Sequence, residues 1–262
     1  MTMLKVACFV IVAISVVMVG CRGDVGDGGF DLLLETGRAH LTAGEYSEAV
    51  VALESAVEQK PEHSTAYFLL GQAYNQTGKL SQAVDAFDKV LELDPESAAA
   101  YHNLGVTYLQ LGDVGLATDA FEAALELDPD DADTRYQLGA AYLTLALADS
   151  GPTAAPDPEL LAQATEEFEK ALALRENMPE ALIGLGNIHL QQGDPSSAIP
   201  LLQQAIDLVP SSREAHYALG GAYAQSGNIA GACETYSEFL SLGPPPTWHS
   251  QAEQIMARLG CE

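Results

Sequence analysis

The motif Leu-Gly-x-x-Tyr returns along this chain at a fixed spacing. Leu70, Gly71 and Tyr74 recur as Leu104, Gly105 and Tyr108, then as Leu138, Gly139 and Tyr142. The glycines of the series are Gly37, Gly71, Gly105, Gly139, Gly186 and Gly220, so the steps are 34, 34, 34, 47 and 34 residues. A unit this short, written six times, cannot bury an apolar face alone and must stack on its neighbours. The fourth copy carries 13 extra residues.

Each unit reads as helix, tight turn, helix, stop. In the third copy Tyr101, Leu104, Gly105 and Tyr108 mark the first helix and Gly112 the turn, where a positive φ is available. Ala117, Phe121 and Ala124 mark the second helix, which stops at Pro129. Pro61, Pro95, Pro210 and Pro244 are the other stops. Asp113 is a candidate N-cap, and Asp194-Pro195 joins a cap to a proline in the first turn. A glycine inside a helix costs roughly 1 kcal/mol relative to alanine. Gly105 is therefore expected where two antiparallel helices approach closely. Ala117 and Ala124 are its small partners, with Phe121 and Tyr108 filling the gaps.

The period and the series from Tyr101 to Pro129 resemble the tetratricopeptide repeat over about residues 30–246. The resemblance implies an all-α fold: a right-handed α-solenoid of six helix-turn-helix units plus a C-terminal capping helix. The units are residues 30–63, 64–97, 98–131, 132–178, 179–212 and 213–246, with the cap at 247–262. Copy one departs at Thr36, where other copies have leucine. In copy four the helices are expected at Leu138–Leu147 and Glu159–Leu174. An insertion at 146–158 replaces the turn glycine, and Glu176 stands where the proline would be.

The resemblance also implies that the first helices line a concave groove, with side chains at the second, fifth, ninth, twelfth and thirteenth places. The fifth place holds Phe68, His102, Tyr136, Ile183 and Tyr217. The ninth holds Gln72, Val106 and Asn187, and the twelfth and thirteenth hold Asn75, Gln76, Gln110 and Gln191. Amides can satisfy the backbone of an extended peptide, and rings can stack on its side chains. Some relatives hold a peptide carboxylate with lysines and arginines here. This groove has Arg38 alone, so such a clamp is not expected. Because the packing series does not use the fifth place, its rings are expected to serve binding rather than the core. His40 and His189 take the tyrosine slot of their repeats and read as packing residues.

Near the start of the chain Lys5 precedes an apolar run of 14 residues, Val6 to Val19. That is shorter than the roughly 20 residues needed to span a bilayer and fits a secretory signal. The run ends at Met18-Val19-Gly20-Cys21, which resembles a bacterial lipobox. Residues 1–20 then form a signal peptide, Cys21 is the lipidated residue, and 21–29 are a glycine-rich tether. The alternative is an ordinary signal cut with an incidental cysteine. Arg22, not aspartate, follows Cys21. The expected place is the periplasmic face of the outer membrane in a diderm host, or the outer face of the cell membrane in a monoderm host. Removing the signal takes only Lys5, which leaves 10 basic against 37 acidic residues, or −27. A nucleic-acid binder needs a basic footprint, so that class is excluded. The acidity has two readings, solubility and a cationic partner.

Two cysteines remain, Cys233 near the start of the last repeat's second helix and Cys261 after the segment TWHSQAEQIMARLG, which resembles the capping helix of such arrays. An antiparallel cap returns Cys261 toward Cys233, where disulfides persist outside the cytoplasm. Two separate thiols, or a bond between molecules, are the alternatives.

No HExxH, CxxC, GxSxG or phosphate loop occurs. Gly184 to Gly186 reads as repeat packing. The acidic run Asp128 to Asp133 lacks the glycine and terminal glutamate of a calcium loop and reads as helix capping. No catalytic residue, metal, cofactor or small-molecule substrate is expected. The expected function is an exported, lipid-anchored scaffold that binds a protein or peptide in its groove during cell-envelope assembly. One alternative resembles the outer-membrane lipoproteins that assist assembly of the type IV pilus secretin. Another is an accessory subunit that recruits envelope polysaccharide or cell-wall enzymes.

Overall fold

The structure, a computed structural model, describes residues 28–148 and 155–261. The expected signal peptide, Cys21 and nearly all of the tether lie outside these residues, as does the middle of the expected insertion. The described residues form thirteen α-helices and no strand. They pair in order: α1 (Gly28–Ala43) with α2 (Tyr46–Gln59), α3 (Ser64–Gln76) with α4 (Leu80–Leu93), and α5 (Ala98–Leu111) with α6 (Val114–Leu127). Next come α7 (Ala132–Ala148) with α8 (Pro158–Leu174), α9 (Pro179–Gln191) with α10 (Pro195–Leu208), and α11 (Arg213–Gln225) with α12 (Ile229–Ser241). The last helix, α13 (Pro246–Leu259), packs on α12. Each odd helix from α1 to α9 also touches the next odd helix down the stack, so the first helices form one continuous layer.

The glycine inside the first helix receives a ring. A Cβ at Gly105 would lie 2.6 Å from the Phe121 ring, and one at Gly71 would lie 2.7 Å from Phe87. Phe87, Phe121 and Phe168 are all but fully buried, and each contributes about 2–3 kcal/mol through that burial. The expected alanine partners are buried too, but it is the ring of the second helix that fills the notch. The lost helix propensity is thus offset by a close-packed aromatic contact. At the turn, Gly112 has φ 87°, a left-handed conformation open to glycine at little cost.

Caps follow the expectation in part. The Asp194 side chain accepts from the Ser197 N–H at 3.2 Å, with Pro195 in the first turn. Its serine and backbone donors hold the carboxyl down at about 2. Asp113 occupies the N-cap of α6, but its side chain makes no capping hydrogen bond. In the acidic run, Asp131 accepts from the Asp133 N–H at 3.0 Å and from the Thr134 hydroxyl at 2.5 Å, so it caps α7.

A second set of contacts joins successive repeats. Tyr74 donates to Glu54 of the preceding repeat at 2.7 Å, Tyr142 donates to Glu122, and Gln203 donates to Tyr223 at 2.9 Å. Burial and the acceptor carboxylates raise the Tyr74 and Tyr142 phenols well above their ordinary range. Tyr108 faces Asp88, whose side chain is one methylene shorter than glutamate, and no hydrogen bond joins that pair among the described residues.

The fourth repeat absorbs part of its insertion into regular structure. Helix α7 runs to Ala148 and α8 begins at Pro158, 17 residues each against 13 to 16 elsewhere. Ala146, where the expected first helix and the expected insertion overlap, is buried against Leu161 and Ala164, and its carbonyl accepts from the Asp157 N–H at 3.1 Å. Asp157 caps α8 at the Glu159 and Leu160 N–H groups. Arg135 pins the long pair together. It donates to Glu167 on α8 at 2.7 Å and to the Pro129 carbonyl from Nε and Nη2.

Candidate functional site

The expected groove residues lie on the layer of first helices. Phe68, His102, Tyr136, Ile183 and Tyr217 are all half-buried, as are Gln72, Asn75, Val106 and Asn187. Gln72, Val106 and Asn187 sit four residues after Phe68, His102 and Ile183, on the same helix face. The odd helices bring these side chains into one strip that runs along the stack.

The fifth place is not free of the core, contrary to expectation. It lies three residues before the notch glycine, so it meets the ring that fills the notch. Ring centroids lie 5.9 Å apart for Phe68 and Phe87, 5.8 Å for His102 and Phe121, 6.0 Å for Tyr136 and Phe168, and 5.8 Å for Tyr217 and Tyr236. These are tilted and edge contacts of the favoured kind. Each ring therefore has one side in the packing and one side toward solvent. Burial raises the Tyr136 phenol, with Glu180 adding to the shift, and pushes Tyr236 up to about 12.

Two groove residues are tied across repeats. The Asn75 amide donates to the buried Thr107 hydroxyl at 2.9 Å, so this amide is not free for a peptide as expected. His102 shares a short bond of 2.6 Å with Thr134. Since the Thr134 hydroxyl donates to Asp131, it must accept from His102 Nδ1–H. That leaves Nε2 with a lone pair. Burial lowers the His102 pKa, with Asp131 and Asp133 opposing, so the ring is neutral at pH 7.

Residues that the sequence reading did not single out complete the strip. Asp133, Glu180, Glu214 and Trp248 follow one another at steps of 47, 34 and 34, at the second place of successive units. The same arithmetic that found the fifth place would have found them. Helix α13 stands where the first helix of a seventh unit would stand, and Trp248 lies 5.5 Å from Tyr217 and 6.2 Å from Phe239, ring to ring. Arg175 holds Asp133 through two bonds of 2.7 and 2.9 Å and keeps its carboxyl below the usual range.

At the far end, the sulfurs of Cys233 and Cys261 lie at bonding distance, 1.94 Å, with the Cα atoms 5.5 Å apart. On another side, an open cleft of about 740 Å³ lies between α10, α11 and α12, lined by Gln203, Asp207, Tyr223, Glu234 and Glu238. It is separate from the ring strip. No group of histidine, cysteine, aspartate and glutamate among the described residues is arranged to hold a metal. No described helix is long and apolar enough to cross a membrane.

Comparison with known proteins fits this geometry. No curated protein matches the chain. Among solved structures, the fold is similar to the MamA protein at 22% identity, covering 70% of this chain and 93% of that one, with a TM-score of 0.59. PilF from Pseudomonas aeruginosa is similar at 18% identity over 87% of this chain and 98% of its own, with a TM-score of 0.71. YrrB, described as a tetratricopeptide repeat protein with an unusual peptide-binding site, is similar at 25% identity over 78% and 98%, with a TM-score of 0.60. The tetratricopeptide repeat profile matches residues 34–98, 76–132, 102–155, 159–211 and 183–245. Those matches span most of the chain, and the chain belongs to the tetratricopeptide repeat family.

Proposed function

We propose that this chain is an exported, lipid-anchored scaffold that holds an extended segment of a protein partner along its first helices, in the assembly of a cell-envelope complex. One observation carries the binding part: half-buried rings at Phe68, His102, Tyr136 and Tyr217 stand at the same place in four of the six repeats on one continuous layer, each with a face left to solvent. Rings of this kind supply large contact area at low cost in side-chain freedom. The export and anchoring part rests on the apolar run that ends at Cys21. Diacylation plus an N-acyl chain would hold the protein firmly, since two or more chains are needed for stable attachment. The Cys233–Cys261 bridge belongs to the same reading, because such a bond persists outside the cytoplasm.

The experiment compares native protein with Cys21→Ser in membrane fractions, and crosslinks partners to both. Acyl mass on the native form, its loss in the variant, and a partner crosslinked to the ring strip are the expected results. A Cys21→Ser protein that stays firmly in the membrane would overturn the anchoring, and crosslinks confined to the α10–α12 side would overturn the groove.

A further inference from the structure

We infer that the segment held in the groove is cationic and presents lysine or arginine side chains to Glu180 and Glu214. This rests on the groove reading above and adds the chemistry of the occupant. In the third and fourth repeats a ring at the fifth place, His102 or Tyr136, is followed by an acid at the second place of the next unit, Asp133 or Glu180. His102 lies in the field of Asp133, and Tyr136 in the field of Glu180. Ile183 is followed in the same register by Glu214. The array ends with Tyr217 against Trp248.

The bases of this half are already committed. Arg175 is held by Asp133, Arg135 by Glu167 and the Pro129 carbonyl, Lys170 by Glu166 and Glu167, while Arg213 donates to the Gly243 carbonyl and Arg258 to the Gln254 carbonyl. Glu180 and Glu214 are exposed and have no ion pair among the described residues. A half-buried ring beside an open carboxylate suits a lysine or arginine. The stem lies on the ring and the charged head reaches the carboxylate. An anionic segment would meet the opposite: unpaired carboxylates and no available base.

The test uses purified full-length protein and three synthetic dodecapeptides that alternate alanine with lysine, glutamine or glutamate. Trp248 is the single tryptophan of the chain and touches Tyr217, so its fluorescence reads occupancy at the end of the strip. The lysine peptide should shift the emission, and the glutamine peptide should bind about tenfold more weakly at low salt. Glu180→Gln with Glu214→Gln should weaken the lysine peptide about fivefold or more. Asp207→Asn with Glu234→Gln removes the same charge from the α10–α12 cleft and should leave binding within about twofold. Equal losses in the two double variants would mean attraction by the overall charge, and would overturn the inference. Equal binding of the lysine and glutamine peptides would overturn it too, while leaving the groove reading intact. No response of Trp248 to any of the three peptides, with no binding in parallel calorimetry, would remove both.

Discussion

The Phe68 ring meets the Phe87 ring edge-on, with an interplanar angle of 68°. Gly71 makes that meeting possible, because nothing on α3 stands between the Phe87 ring and the helix backbone. The relation extends through the chain as a matched pair. Where the notch is filled by a ring, as with Phe87, Phe121, Phe168 and Tyr236, the fifth place is also a ring, namely Phe68, His102, Tyr136 and Tyr217. Where it is filled by Leu53 or Leu202, the fifth place is aliphatic, Leu34 or Ile183. Aromatic character along the groove is thus set in part by what lies beneath it.

The glycine notch gives the first prediction. Gly105→Ala alone should destabilise by about 1–3 kcal/mol, because its Cβ overlaps the Phe121 ring. In a Phe121→Ala background the same change should become neutral or stabilising by up to about 1 kcal/mol, since helix propensity then acts unopposed. Chemical denaturation of the four proteins of this cycle reads the sign, and an unchanged sign would remove the notch argument.

Phe68→Ala should lower stability by about 1–3 kcal/mol, more than an exposed groove residue would, because half of its ring is packed. Tyr136→Phe keeps the ring contact and should melt within about 0.5 kcal/mol of the native protein. Partner binding by ring variants therefore has to be measured beside their melting.

Arg135→Ala should cost about 1–3 kcal/mol. It leaves Glu167, 11% exposed, with Lys170 as its remaining cationic partner, and it frees the Pro129 carbonyl. The loss should appear as a lower melting temperature with helicity retained elsewhere. Arg135→Lys should recover little, since the fork that reaches two acceptors is gone.

Closing a loop of 28 residues, the Cys233–Cys261 bond should add about 3–4 kcal/mol to the last repeat and cap. Alkylation of native protein should label neither cysteine, and reduction should lower the melting of the C-terminal end first. Two labelled thiols in oxidised protein would rule the bond out.

Stability should also depend on His102. Its folded pKa lies below the unfolded value of about 6.5, so folding disfavours the charged ring. The sign follows: its contribution is present above about pH 6.5 and is lost as pH falls through the folded pKa. His102→Phe, the residue type at the equivalent place of repeat two, should flatten that part of the melting curve against pH. An identical slope in both proteins would count against it.

Most of the architecture was legible in the sequence, because a 34-residue period with glycine, ring and proline at fixed offsets leaves few folds open. The helix pairs, the turn glycines and the Asp194 cap all follow from local chemistry. What was not legible came from contacts between elements. That a ring, rather than Ala117, fills the space at Gly105 depends on how the two helices cross. That Asn75 spends its amide on Thr107 depends on the neighbouring repeat. The inner helix ends flanking the insertion were legible to within a residue, and Asp157-Pro158 is the same cap as Asp194-Pro195; that Ala146 packs on Leu161 and Ala164 was not legible, because it depends on how α7 and α8 cross.

The tyrosine contacts between repeats have a thermodynamic consequence. A stack of this kind behaves as a one-dimensional array, in which each unit has its own folding free energy and each junction its own coupling. The bond from Tyr74 to Glu54 and that from Tyr142 to Glu122 add to two of those couplings. At the junction between repeats two and three the shorter Asp88 does not reach Tyr108, and Asn75 with Thr107 supplies the polar link instead, on the groove side. Among the described residues no side-chain hydrogen bond crosses from repeat four to repeat five, so cooperativity should divide most readily near residue 178, and amide exchange in the native state should show repeats five and six opening apart from the first four.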